Sequence, residues 1–270
     1  MEKPSTPPEP IGRLVAARPL KDLARALVER NVASASGLWG SSVAAVVAAV
    51  RAETVRPVLL VCGHLDEADD LADDVELFAG QRPDVVPALE LSGSLGRLSE
   101  EQVANRLQMV ARYAAGQATS PLLVAPVQAI MQSVPSRKQL GELLRTLKPG
   151  AKLEPEKLIV WLSEHGYNRL EQVEVPGDFA VRGGIVDVYL PGDHPESGDN
   201  VGLTVRLDFF DDELESIKLF DLDTLGSGRT IPQVQLMDLK GRVDHGETVS
   251  LFSYLAPETV VVLWEPLEIA

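Results

Sequence analysis

The run GLWGSSVA at residues 37–44 precedes a predicted helix, the position a nucleotide phosphate loop would take. Such a loop has the form G-x-x-x-x-G-K-[ST]. Its glycines let backbone N–H groups surround phosphate, its lysine meets the β and γ phosphates, and its hydroxyl binds Mg²⁺. Gly37 is kept and Gly40 lies within the run, but Ser42 stands for the second glycine, Val43 for the lysine and Ala44 for the hydroxyl. The charge that would hold ATP is gone. On these residues alone the run is either a glycine-bearing turn before a helix or a phosphate loop that has lost its ligand.

Two further stretches suggest nucleotide chemistry without completing it. HLDEADDLADD contains Asp66-Glu67-Ala68-Asp69, yet Gly63, His64 and Leu65 separate these acids from the apolar strand before them. An aspartate serving Mg²⁺ sits directly at a strand end. Acids opening a helix instead meet the positive end of its dipole. In VVVLWE, residues 260–265, the strand is right but Trp264 occupies the aspartate position, and tryptophan cannot orient Mg²⁺ or its water. An ordinary buried strand and a disabled acidic strand end both fit.

Arg182, in FAVRGG, is a cation set among apolar residues within an acidic stretch. Residues 151–230 hold seven Lys or Arg against seventeen Asp or Glu, and the whole chain has a formal charge of −15. One reading pairs Arg182 with Asp178 or Asp187, because charges in sheets find partners. The other presents its planar multi-donor fork to a carboxylate on another protein, as arginines do in interface hot spots. Gly183-Gly184 marks a bulge or a close backbone approach, and Arg169 and Arg206 could share its sheet face.

No glycine-framed nucleophile serine, Ser-His-Asp order or supported Cys-His pair occurs, so no catalytic residue is assigned. His64, His165, His194 and His245 lack metal-ligand spacing, and the single cysteine, Cys62, excludes an internal disulfide. A pI near 4.7 with no basic cluster argues against this chain alone gripping a nucleic-acid backbone. Protein partners and a reducing, cytoplasmic setting are expected, with no membrane segment.

The elements that must position these residues divide the chain. A proline-rich tail, expected to be disordered, covers residues 1–13. Helices are expected over 19–30, 43–54, 65–79 and from Ser99, where Gln102 completes a capping box, with buried strands ending at Cys62 and over 122–125. Strands alternating with helices imply an α/β lobe with a parallel sheet over about 14–130. Residues 136–148 read as helix, with LLRTLK able to serve as an edge strand. Pro155–His165 reads as a helix stopped by Gly166, and strands over 201–210 and 214–220 flank an acidic turn. A small α+β domain inserted at 131–231 follows, with 232–270 returning to the lobe through ETVVVLWEP.

The motifs GYNRLEQV (166–173), PGDFAVRGGIVDVY (176–189), VRLDFFDDELESIKLFD (205–221) and LLVAPVQAIMQ (122–132), together with GLWGSS, carry a resemblance. The chain resembles the N-terminal part of bacterial transcription-repair coupling factors, relatives of the excision-nuclease protein UvrB, from about residue 14 onward. The resemblance implies a degenerate helicase-like (RecA-like) lobe without ATP or other cofactor, and an inserted domain that docks UvrA, the damage-recognition ATPase of the excision nuclease. Arg182 then matches the arginine that both relatives keep. Arg169 matches the arginine of the UvrB pattern and Asn168 the position used by the coupling factors, which favours Arg169. Ala180 stands where UvrB has an arginine, and Val181 and Tyr189 would be apolar neighbours. The full-length family uses ATP and Mg²⁺ to move on double-stranded DNA and displace RNA polymerase. The resemblance implies that these 270 residues are an N-terminal portion without that motor. The alternatives are an autoinhibitory or structural lobe contacting a longer chain, and a residual nucleotide-binding lobe.

Overall fold

The computed structural model describes residues 9–89, 91–92, 97–98, 100–192, 194, 202–222, 224, 226–240 and 247–269. In chain order the helices are α1 (Glu9–Val15), α2 (Arg18–Arg30), α3 (Ser42–Thr54), α4 (Glu67–Ala79), α5 (Glu100–Ala114), α6 (Val127–Met131), α7 (Arg137–Leu143), α8 (Pro155–Glu164) and α9 (Pro266–Ile269). The strands begin with β1 (Val58–Cys62), β2 (Asp84–Val85), β3 (Leu91–Ser92), β4 (Arg97–Leu98), β5 (Leu122–Pro126), β6 (Val134–Pro135), β7 (Leu144–Leu147) and β8 (Asn168–Leu170). They continue with β9 (Asp178–Arg182), β10 (Ile185–Leu190), β11 (Leu203–Phe210), β12 (Glu213–Phe220), β13 (Ser227–Thr230), β14 (Val234–Met237), β15 (Thr248–Val249) and β16 (Val260–Leu263). No helix among them is long and apolar enough to cross a membrane.

The chain forms two compact units, one of Met1–Leu89, Met109–Ser133 and Ser250–Ala270, the other of Glu90–Gln108 and Val134–Val249. The first is built on a parallel sheet ordered β16-β1-β5-β2. Every residue of β1 and β5 is buried, which is why both read as unbroken apolar runs: a parallel strand packed on two faces has no polar side. In α3, Val43 to Val50 are all buried, and its mixture of small alanines and valines lets it pack on several sides. It forms one core with Leu60, Leu71, Val75 and Val124. Cys62 is buried there, and burial followed by the charge of Glu67 pushes its thiol up to about 11.

Residues 9–15 form a helix, although the proline-rich composition suggested a disordered tail as far as residue 13. The capping residue expected at Ser99 lies outside the described residues.

In the second unit a six-stranded sheet runs β13-β12-β11-β10-β9-β8, antiparallel except for the parallel pair β8–β9. Its inner face packs on α8 through Leu158, Leu162, Phe179, Val186, Val205 and Ile217. Gly166 ends that helical region at φ 96, and a Cβ there would stand 2.9 Å from the Leu239 Cβ, so the tight reversal requires glycine. The helix expected over 136–148 ends at Leu143, and Leu144–Leu147 pairs antiparallel with β14. Residues 234–237, expected in the first lobe, are thereby held in the second unit, and the chain re-enters the first at Ser250.

Val55 closes α3 at φ 58, ψ 13, a left-handed conformation that costs a β-branched residue about 1–2 kcal/mol. Its side chain is 73% exposed, so little packing is lost on replacement. Val55→Asn is expected to raise stability by about 1 kcal/mol, read as a higher midpoint in urea unfolding with an unchanged slope.

Candidate partner-docking face

Side chains alternate along a strand, and register partners project to the same side. The register therefore sorts the outer face of the second sheet into rows. Leu170, Ala180, Asp187, Arg206 and Lys218 form one row, and Arg182, Ile185, Asp208 and Ser216 form the next. Asn168 and Asp178 stand in a third row, toward Tyr189.

Asp187 is 4% exposed, and its carboxylate is gripped from both sides by Arg206: Nε donates to Oδ1 at 2.7 Å and Nη2 to Oδ2 at 2.9 Å. The guanidinium lies 4.4 Å from the Phe220 ring centroid and also donates to the Ser227 hydroxyl. Its hydrogen bonds to Asp187 outweigh desolvation and raise the Arg206 pKa further. Asp178 is buried, and its Oδ2 accepts the backbone N–H groups of Glu174 at 3.1 Å and Val175 at 2.9 Å. That carboxylate shapes the turn leading into β9.

Both acids that could have paired with Arg182 are therefore occupied elsewhere. Arg182 is exposed and donates from Nη2 to the Glu171 carbonyl at 3.1 Å; among the described residues no carboxylate forms an ion pair with it. Arg206 shares its face. Arg169 does not: its register partner is Phe179, so it projects to the opposite side, while Asn168 and Leu170 lie on the Arg182 side. Arg169 is nonetheless exposed at the sheet edge. Val181 is half-buried in the core against α8. Tyr189 and Ala180 pack with Val173, Phe220 and Leu222 in a small outer cluster. Phe210, which is not among the expected contact residues, is 76% exposed on the Arg182 side.

Asp208 accepts hydrogen bonds from Lys218 Nζ and the Ser216 hydroxyl, each at 2.7 Å. Burial alone would raise its pKa, but the Lys218 and Ser216 hydrogen bonds and the charge of Lys218 prevail and hold it below the ordinary value.

In the first unit, Gly37 (φ 74) and Gly40 (φ 52) turn the chain into α3. Ser42 Oγ accepts the Trp39 N–H at 2.8 Å, and Val43 and Ala44 are buried in the core. A cavity of about 520 Å³ opens between residues 32–38 and 260–266. Val46, Val50, Val260 and Val262 supply apolar lining, and among the described residues Glu265 is the one charged side chain of the lining, with no lysine or arginine beside it. The acids of HLDEADD open α4, with Asp69 and Asp70 exposed in its first turn. Trp264 packs against the core, with its backbone N–H donating to the Val61 carbonyl. No group of three or more His, Cys, Asp or Glu among the described residues could hold a metal ion.

A family model described as the UvrB interaction domain matches residues 146–240, which include α8 and the six-stranded sheet. The chain is 32% identical over 203 residues to the transcription-repair-coupling factor of Bacillus subtilis (strain 168), covering 74% of this chain and 16% of that protein. It is 29% identical over 203 residues to the Escherichia coli (strain K12) factor, covering 75% and 17%. With the Mycobacterium tuberculosis (strain CDC 1551 / Oshkosh) factor the identity is 31% over 192 residues, covering 68% and 14%. The chain thus spans less than a fifth of the length of these curated relatives.

The Asp208 arrangement has a pH consequence. Its lowered native pKa contributes stability that is fully present above the unfolded value of about 3.9 and is lost as pH falls through the native value. Asp208→Asn is expected to be less stable than the native chain at pH 7 and to show a shallower loss of stability below pH ~4, measured by urea unfolding across that range.

Proposed function

With residues 146–240 matching the UvrB interaction domain family and the chain related to transcription-repair-coupling factors, we propose that it is the N-terminal module of such a factor, docking the excision-nuclease protein UvrA. Through that contact the module brings nucleotide-excision repair to stalled RNA polymerase in the cytoplasm. The observation that carries this reading is Arg182: an exposed guanidinium on the outer face, while Asp178 and Asp187 are committed to other groups. A fork left open to a partner carboxylate suits a protein interface. Asn168 shares that face, Tyr189 supports it from the small apolar cluster, and Arg169 lies at its edge.

In this reading the first unit is a helicase-like (RecA-like) lobe that no longer binds nucleotide. The all-parallel sheet and the glycine turn before α3 support that ancestry. Buried Val43 and Ala44 and a cavity lining without any cation support the loss, since triphosphate needs positive charge where these side chains sit. ATP, Mg²⁺ and DNA translocation then belong to the motor of the longer relatives.

Calorimetry with purified UvrA tests the docking. Arg182→Ala is expected to weaken binding about tenfold, and Arg169→Ala by less than about threefold. Equal affinity of the native chain and Arg182→Ala would sink the assignment of the face. In the same instrument, Mg²⁺-ATP at sub-millimolar concentration should give no binding heat; a saturable isotherm would restore a nucleotide-binding lobe.

A further inference from the structure

Phe210 stands out among the phenylalanines of the second sheet: Phe179 and Phe220 are buried and Phe209 is half-buried, whereas Phe210 is 76% exposed. The β11–β12 register shifts between Asp208 and Phe209; beyond that shift Phe209 packs against the inner core, so Phe210, opposite Glu213, projects to the outer face, past the row of Arg182, Ile185 and Asp208. The backbone carrying it is held from several directions. The Phe209 N–H donates to the Gly184 carbonyl at 2.8 Å, and the Leu153 N–H donates to the Asp212 carbonyl at 2.7 Å. The Leu214 carbonyl accepts from the Gly150 N–H, and the Leu214 N–H donates to the Ala151 carbonyl. A Cβ on Gly184 would come within 2.8 Å of the Phe209 carbonyl oxygen, so glycine allows β10 to start this close beside the phenylalanine.

An exposed aromatic ring on a clamped backbone has only two side-chain torsions to lose on capture, which makes it an efficient anchor. Arg182 adds a direction to it. In a chain of formal charge −15, carboxylate-bearing surfaces are repelled in general, and an exposed arginine that pairs with no carboxylate among the described residues provides a local exception that sets register.

We infer that Phe210 is the aromatic anchor of the docking face, entering an apolar socket on UvrA whose rim carries a carboxylate for Arg182. This rests on the docking to UvrA proposed above. The two side chains act together: the ring supplies desolvated area, and the guanidinium fixes orientation.

Calorimetry of purified UvrA against the native chain and its Phe210→Ala, Phe210→Trp and Arg182→Ala variants tests it. Phe210→Ala is expected to weaken binding about thirtyfold, while Phe210→Trp stays within about threefold. Phe210→Glu, which sets an acid beside the partner's carboxylate, should weaken binding more than Phe210→Ala and serves as a second probe. Circular dichroism and thermal melting should match the native chain for all four, because the ring is mostly outside the core. Native binding with an unchanged Phe210→Ala affinity overturns the anchor and leaves the docking intact; absence of native binding overturns the docking itself. A concentration-dependent dimer of the native chain in sedimentation, abolished in Phe210→Ala, would assign the ring to self-association and also overturn the inference.

Discussion

The outer face of the second sheet depends on the ion pair between Asp187 and Arg206. These residues sit opposite each other on the two central strands, β10 and β11. A carboxylate this buried is tolerated because two guanidinium nitrogens satisfy it, and removing one member of such a pair typically costs about 3–5 kcal/mol. Part of that figure is lost to solvent here, since the arginine is 16% exposed. The pair also decides what its neighbours do. With Asp187 saturated by Arg206 and Asp178 absorbed by the turn before β9, Arg182 is held by one backbone carbonyl on the sheet surface.

The first unit shows a different economy. Where a nucleotide site would place charge and a hydroxyl, Val43 and Ala44 are buried, continuous with Val46, Val47 and Val50. Such packing stabilises the unit through buried apolar surface, at about 25 cal/mol per Å². Binding a phosphate at the same spot would place its charge against apolar surface that cannot solvate it.

Elements whose signal is local are legible in the sequence. The continuous apolar runs of β1 and β5, the amphipathic face of α2 and the Pro155 start of α8 depend on neighbours in the chain, and each lies where its pattern does. Long-range pairing is not legible. Residues 234–237 are expected in the first lobe with the rest of 232–270, but the partner of VQLM is LRTL, about ninety residues earlier, and no local rule selects it. The facing of Arg169 and Asn168 depends on the register of the parallel pair β8–β9, which the turn capped by Asp178 sets. Spacing names the carboxylates near Arg182 but cannot reveal that Arg206 and two backbone amides have prior claims on them. Phe210 does have a signal: two consecutive phenylalanines on one strand cannot both face the core.

The two sheets end differently at their edges. In the second unit the edge strands are β8, NRL, and β13, SGRT, both short, exposed at every residue and each carrying an arginine. Such rims discourage another chain from adding itself by backbone pairing. In the first unit the edge strand β16 is VVVL, with Val261 and Leu263 exposed. Among the described residues no strand pairs with its outer edge, and its side chains are apolar and mostly β-branched, the pattern that recruits stray strands. Any tendency to aggregate by edge pairing when this chain is concentrated is thus seated in the first unit, and the exposed outer face of the second sheet is flanked by rims that resist it.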